Sequence, residues 1–420
     1  MRTAFLAPLA GRDAMGRRRG TVPSLLPRQP MERPMQRNDL SRSLVAFEQN
    51  STLVSVVELS FKTWLVAGLV PGLKRQPLKK QGADADALLA LLQRWRAEAI
   101  KAGGKIERIV VAFEAGRDGF WLARWLRARG IETYVIHATS IPVSREHRRA
   151  KSDRLDTELL MRAVLGWLRG EAKHCSMVAI PTLAQEDARR PNREHQTLVK
   201  ECGRIVSRMK ATMARLGVRN FNVKLRKALE KLAGLLTPEG VPLPANTLDE
   251  LRRDMAQLHL IRGQIKEIEK ARLARLQKAP QDGAHPMLLM LAKVMGIGLE
   301  TADMLVHEVL SRDLRDDKAV GRYGGMTGAP DESGSKRREK GLARAGNARV
   351  RRGMIQLAWR WLMFQKDSAL TQWYLARTAG AGPAVRKTMI VALARKLLIA
   401  LWRYVRAGEV PAGARLRVAT

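Results

Sequence analysis

Acidic residues are few in this chain, cysteines are almost missing, and no apolar run is long enough to cross a membrane. The two cysteines, Cys175 and Cys202, form no CxxC and stand in no paired Cys/His spacing that would cage zinc. This pattern fits a reducing compartment, and the protein is expected to be cytoplasmic. The most apolar stretch, TWLVAGLVPGL, is interrupted by Pro71 and falls short of the roughly 18 residues of a spanning helix. No apolar signal-peptide core follows a charged start. Asp and Glu number 40 against 76 Lys and Arg, for a formal net charge of +36 and a pI near 11.2. An excess of that size, spread along the chain, predicts a nucleic-acid partner ahead of an anionic membrane surface.

The 420 residues suffice for two or three domains at about 100–200 residues each. Residues 1–50 hold nine arginines, no lysine and prolines at 8, 23, 27, 30 and 34. They are expected to form a disordered basic arm, or to lie upstream of a true start at Met31 or Met35. Beyond them strands and helices alternate. TLVSVVEL and FKTWLVAGLV read as a hairpin or two successive strands, and DADALLALLQRWRAEAIKAG as a helix closed by Gly103 and Gly104. IERIVVAFEA follows as a buried strand, DGFWLARWLRARG as a helix stopped by Gly130, and ETYVIHA as a further strand. The alternation predicts an α/β domain over residues 51–175. Over 184–280 the strands vanish. A helix is expected to open there on a capping box of Thr247 and Glu250, with Leu248, Leu251, Met255, Leu258, Ile261, Ile265 and Ile268 stepping as a coiled-coil seam does. A two-helix arm packed on itself and a dimer contact both fit that pattern. A mainly helical domain is expected over 286–405, followed by a tail at 406–420.

Two aspartates, Asp153 and Asp156, stand three apart inside the basic run HRRAKSDRLDTELL. On a helix they share a face, one turn apart. They are either a metal-binding pair or salt-bridge partners for Arg149, Lys151 and Arg154. Glu58 and Glu114 each fall at the end of a strong apolar strand, where an α/β sheet delivers functional side chains. A single acid is more often an ordinary surface carboxylate; the ordered set of two strand-end glutamates and a DxxD helix shifts that balance. Four carboxylates converging in so cationic a chain repel one another unless cations neutralise them, and an oxygen-only set suits magnesium. Two such ions about 4 Å apart can stabilise both the attacking and the leaving oxygen of a phosphodiester displacement. Lys151 and Arg154 would then hold the phosphates.

The C-terminal third offers two more features. Gly296-Ile297-Gly298 joins two helical patterns, and such a joint either aims N–H groups at a phosphate or is a simple tight turn. Ser333 lies in a Gly- and Pro-rich segment read as a loop, followed by Lys336, Arg337, Arg338, Lys340, Arg344, Arg349, Arg351 and Arg352. A serine beside so many cations is a candidate phosphoryl nucleophile or a cap. Ser335 is an equal candidate on chemistry alone.

These strings carry a resemblance. VVELSFKTW, VVAFEAGRDGFWLARWL and AKSDRLDTELL, together with VMGIGLETADMLVHEV and YGGMTGAPDESGSKRREKGLARAGNARVRRGMIQLAW, resemble the DEDD-type insertion-sequence transposases known as bridge-RNA-guided recombinases. The likeness spans about residues 50–405. It implies an RNase H-like (RuvC-like) domain, a coiled-coil segment and a C-terminal transposase domain with a catalytic serine. By that likeness Glu58, Glu114, Asp153 and Asp156 would be magnesium ligands, and Ser333 would attack a DNA phosphodiester to give a phosphoserine link. Lys336, Arg337, Arg338, Arg349, Arg352, Gly296 and Gly298 would meet nucleic acid. The implied partners are DNA at the element ends and target, a guide RNA, and further copies of the chain as a dimer or tetramer. The chain departs from the pattern in three places. Glu58 replaces the usual first aspartate, TGAP stands where proline usually follows threonine, and Ala343 or Arg344 replaces a lysine.

The expected function is therefore a magnesium-dependent DNA transposase or recombinase. A junction endonuclease in which the carboxylates activate water, and a non-catalytic nucleic-acid-binding protein, are the alternatives.

Overall fold

The computed structural model describes residues 42–43, 45–114, 116, 119–141, 153–171, 174–223, 225, 227–333, 336–342 and 345–417. Residues 1–41 and 44 of the expected arm at 1–50, and Lys151, Ser335 and Arg344, lie outside the described residues.

A five-stranded sheet forms the N-terminal region. Its strands are β1 (Thr52–Leu59), β2 (Thr63–Leu69), β3 (Leu78–Gly82), β4 (Arg108–Glu114) and β5 (Glu132–Ile136), in the order β3-β2-β1-β4-β5. β1 pairs antiparallel with β2 and parallel with β4; β4 pairs parallel with β5. The two central strands are mostly apolar because helices cover both faces; the buried Ser55 of β1 is the exception, its Oγ donating to Ala67 O at 3.0 Å. Leu53, Val57, Val111 and Phe113 pack toward α1 (Ala85–Lys101) and α2 (Trp121–Arg127). Val54, Val56, Val110 and Ala112 pack toward α3 (Asp153–Leu168). Asp84 caps α1 by accepting from the N–H groups of Asp86 and Ala87 at 2.8 and 3.1 Å. Trp95 of α1 lies so close to Gly68 of β2 that a Cβ there would sit 2.7 Å from the indole. β3, LKKQG, carries no apolar alternation. It is an exposed edge strand blunted by Lys79 and Lys80.

A short helix α4 (Leu183–Asp187) leads into α5 (Arg190–Arg215), then α6 (Ala228–Leu232) and the 34-residue α7 (Ala245–Lys278). α5 and α7 run antiparallel: Arg208 pairs with Asp254, and His195 with Glu269. The apolar seam is spent within this pair, since Leu251, Met255 and Leu258 are buried with Ile205, Met209 and Met213. Ile265 and Ile268, further along α7, are only half-buried. The expected capping box does not form. α7 starts at Ala245 behind Pro244, which leaves Thr247 already inside the first turn.

The C-terminal region comprises α8 (His285–Ala292), α9 (Leu299–Leu305) running into a π-helical turn at Val306–Leu310, α10 (Asp317–Tyr323), strands β6 (Gly328–Ser333) and β7 (Lys336–Leu342), α11 (Ala348–Phe364), α12 (Ala369–Thr378) and α13 (Pro383–Ala407). Leu291, Leu305, Val309, Leu357, Trp361, Leu397 and Leu401 form its core. Trp361 Nε1 donates to the buried Ser368 Oγ at 2.8 Å. Two sequence expectations change here. The segment read as a loop around Ser333 is an antiparallel hairpin, with Ser333 the last residue of β6 and in register with Lys336. The stretch expected as a tail is docked: the Met295 N–H donates to Arg415 O at 3.1 Å, and the Ala369 N–H to Ala412 O at 2.9 Å. Among the described residues no helix is long and apolar enough to cross a membrane.

Candidate active site

Sheet pairing and helix packing together fix where three of the predicted acids stand. Val57 and Phe113 are register partners in parallel strands, so Glu58 and Glu114, one residue on, stand side by side at the C-terminal ends of adjacent strands. Strand alternation places both on the face of Val54, Val56, Val110 and Ala112, the face that α3 covers. α3 holds the sheet through Leu160, Ala163, Val164 and Trp167. Asp156 lies one turn before Leu160, on the same side of the helix. The result is a cavity of about 320 Å³ lined by Glu58, Leu59, Glu114, Gly116, Ile141, Asp156, Leu159 and Leu160. All three carboxyl-bearing residues are half-buried. Asp153 opens α3, but its side chain lies outside the described residues.

The donor set is made of carboxylate oxygens, the chemistry magnesium takes. Among the described residues, however, no three His, Cys, Asp or Glu side chains are grouped as metal ligands are. Arg154, expected to meet phosphate, is exposed and pairs with Glu158 at 3.2 Å.

Ser333 is not among the residues lining this cavity. It ends β6, and the register sets Ser333 opposite Lys336, Glu332 opposite Arg337 and Asp331 opposite Arg338. The side chains of Ser333, Lys336, Arg337 and Arg338 lie outside the described residues. Below the hairpin the two chain segments that enter and leave it touch backbone to backbone. Gly346, at φ +103°, leaves no room for a side chain: a Cβ would sit 2.5 Å from Arg322 O and 2.6 Å from Tyr323 O. Gly325, at φ +63°, lies equally close to Ala345 O. Asn347 then caps α11, accepting from the N–H groups of Arg349 and Val350 at 2.9 and 3.3 Å. Its Nδ2 donates to Glu308 Oε2 at 3.0 Å.

Glu308, in the π-helical turn, is 1% exposed. It also accepts from Arg193 Nε at 2.8 Å and Nη2 at 3.2 Å. Burial pushes its carboxyl up, yet the Arg193 and Asn347 hydrogen bonds outweigh this and hold it below the usual carboxylate range. Nothing in the local sequence marks Glu308 or Arg193, which stand 115 residues apart; the one legible signal is Asn347, an N-cap residue type directly before a helical pattern.

The Gly296-Ile297-Gly298 joint is a tight turn, with Gly296 at φ +90° against Phe364. The helix it opens carries Glu300 in its first turn. That carboxylate already accepts from Asn192 Nδ2 at 2.7 Å and pairs with Arg272 and His195. Arg349 donates to Gln196 Oε1 at 2.7 Å, whereas Arg352 is exposed.

Residues 289–374, from the end of α8 through the hairpin and α11 into α12, match the family model described as "Transposase IS116/IS110/IS902 family". Over 371 residues the chain is 40% identical to the protein named "Putative transposase y4rJ" of Sinorhizobium fredii (strain NBRC 101917 / NGR234), an alignment covering 86% of this chain and 93% of that relative. The chain belongs to the IS116/IS110/IS902 family of transposases. DNA is therefore its substrate, and the net charge of +36 matches a phosphate-rich partner. The transposase family match covers the hairpin and its base; the 40% identity, over 86% of the chain, reaches well beyond that segment.

Proposed function

We propose that this transposase cuts and rejoins DNA with two centres, a carboxylate site on an RNase H-like sheet and a serine on the β6–β7 hairpin. The single observation carrying this reading is the convergence of Glu58, Glu114 and Asp156 on one cavity. The strand order β3-β2-β1-β4-β5, with β2 antiparallel to β1, supports the RNase H-like assignment. Glu58, Glu114, Asp156 and Asp153 are the residues that would hold magnesium. When bound, it would neutralise them and polarise a scissile phosphodiester. Glu58, the penultimate residue of β1, reaches one methylene further than the usual aspartate.

Ser333 supplies the nucleophile. Its hydroxyl loses a proton, its oxygen forms a bond to phosphorus, the P–O bond to the leaving deoxyribose breaks, and that oxygen takes up a proton. The result is one serine phosphodiester and one free sugar hydroxyl. Lys336, in register beside Ser333, and Arg337 and Arg338 contribute positive charge where the phosphate must sit. A guide RNA that pairs with element and target, and assembly as a dimer or tetramer that brings the two centres together on DNA, complete the proposal. The cytoplasm is where such a reaction would run.

The test is chemical. Protein, RNA and DNA are incubated with magnesium and denatured; a covalent protein–DNA adduct is expected with the wild type and none with Ser333→Ala. An adduct that persists in the variant removes Ser333 from this role. The cavity by itself also favours a second reading, a nuclease that activates water. In that case free ends form without any adduct, Asp156→Asn abolishes cutting, and Ser333→Ala leaves it intact.

A further inference from the structure

The hairpin stands on a clamp whose parts come from three regions of the chain. Arg193 belongs to α5, Glu308 to the π-helical turn after α9, and Asn347 to the residue that caps α11. Glu308 is the hub, buried and accepting from both others. The Asn347 N–H donates to Tyr323 O at 2.7 Å, and Arg312 stacks over the Tyr323 ring at 4.7 Å. At Gly325 and Gly346 the crossing segments approach so closely that neither position has room for a Cβ. On the other side, Arg189 Nε donates to His307 O at 3.1 Å, which seats the first turns of α5 on the same π-helical turn. A π-helical turn is rare and often found at functional sites, and the one that ends α9 turns a carboxylate inward between two donors.

We infer that Glu308, Arg193 and Asn347 are positioning residues for strand transfer: they fix the base of the β6–β7 hairpin on α5 and so determine where Ser333 is presented. This rests on Ser333 being the nucleophile, but the geometric part stands apart from it. None of the three touches the reacting atoms. Their effect passes through the hairpin's orientation, and a misplacement of about 1 Å at a reacting group can cost on the order of a hundredfold in rate.

The experiment uses the full chain with spin labels at Lys340→Cys on β7 and Lys200→Cys on α5, in a Cys202→Ser background; Cys175 is buried. Asn347→Asp keeps a capping oxygen but sets a second carboxylate against Glu308. It is expected to broaden the label-to-label distance distribution and to slow adduct formation by about tenfold or more, while DNA affinity stays within twofold or so. Adding Glu308→Gln returns a donor to the pair, and the double variant is expected to recover the narrow distribution. That rescue separates positioning from general loss of fold. An unchanged distribution in Asn347→Asp, or a double variant no better than the single, overturns the inference. Should Ser333→Ala still form the adduct, the proposed nucleophile fails, and the distance measurement still judges the clamp.

Discussion

Replacing Asn347 by alanine removes two interactions whose sizes can be worked out separately. The cap on α11, with its two backbone donors, is worth about 1 kcal/mol. The hydrogen bond from Nδ2 to the buried Glu308 carboxylate involves a charged acceptor and is worth about 1.5–3 kcal/mol. Together the loss is about 2–4 kcal/mol, since neighbouring terms do not add fully. Denaturant unfolding followed by tryptophan fluorescence, with Trp361 in the core of the affected region, measures it. The pH dependence gives a second check. Glu308 is held below the usual carboxylate range, so its contribution is complete above the unfolded value of about 4.3 and disappears as pH falls through the lower folded value. In Asn347→Ala the carboxyl loses a donor and its folded value rises. The gap between wild type and variant should therefore narrow as pH falls through the interval between the two folded values, the lower of which lies below the usual carboxylate range. A loss under about 1 kcal/mol, or a gap that stays constant from neutral pH down to acid unfolding, would refute the assignment of Glu308 as a charged acceptor.

Other outcomes follow from the same geometry. Burial pushes the Cys175 thiol up to about 12, so a thiol reagent at neutral pH should modify Cys202 first and reach Cys175 only on unfolding; mass spectrometry of partly labelled protein reads this, and early labelling of Cys175 would contradict its burial. Gly346→Ala meets two carbonyl oxygens at under 3 Å from a left-handed backbone, so it should cost at least about 2 kcal/mol, with hydrogen exchange raised over 322–347. A variant that melts like the wild type would mean the crossing is looser than described.

The central strands are legible because both faces of β1 and β4 are covered, which writes a β-branched, mostly apolar run into TLVSVV and RIVVAF. Glu58 and Glu114 stood out for the same reason, as the first polar residues after such runs. β3 was not legible: an exposed edge strand of Lys and Gln has no burial to imprint a period. The β6–β7 hairpin reads as a loop in the sequence because Pro330, Gly334 and a row of charges mask the strand pattern; the Gly-Ser pair at 334–335 between two short runs is the available hairpin signal. The sequence there sets Asp331 and Glu332 in register with Arg338 and Arg337, so opposite charges stand where an apolar alternation would have marked the strands. The clamp around Glu308 lay beyond any local window, because its donors are supplied 115 residues before and 39 residues after it.

Helix α5 is gripped near both ends, by Glu308 on Arg193 and by Asp254 on Arg208. An inserted residue between those two points would swing everything downstream through about 100° and advance it by about 1.5 Å, so no single insertion or deletion can keep both grips. The spacing of fifteen residues therefore acts as a fixed gauge, and relatives of this chain should vary the reach of the arm only beyond Arg208, where the helix pair can lengthen by whole turns without disturbing what stands at its foot.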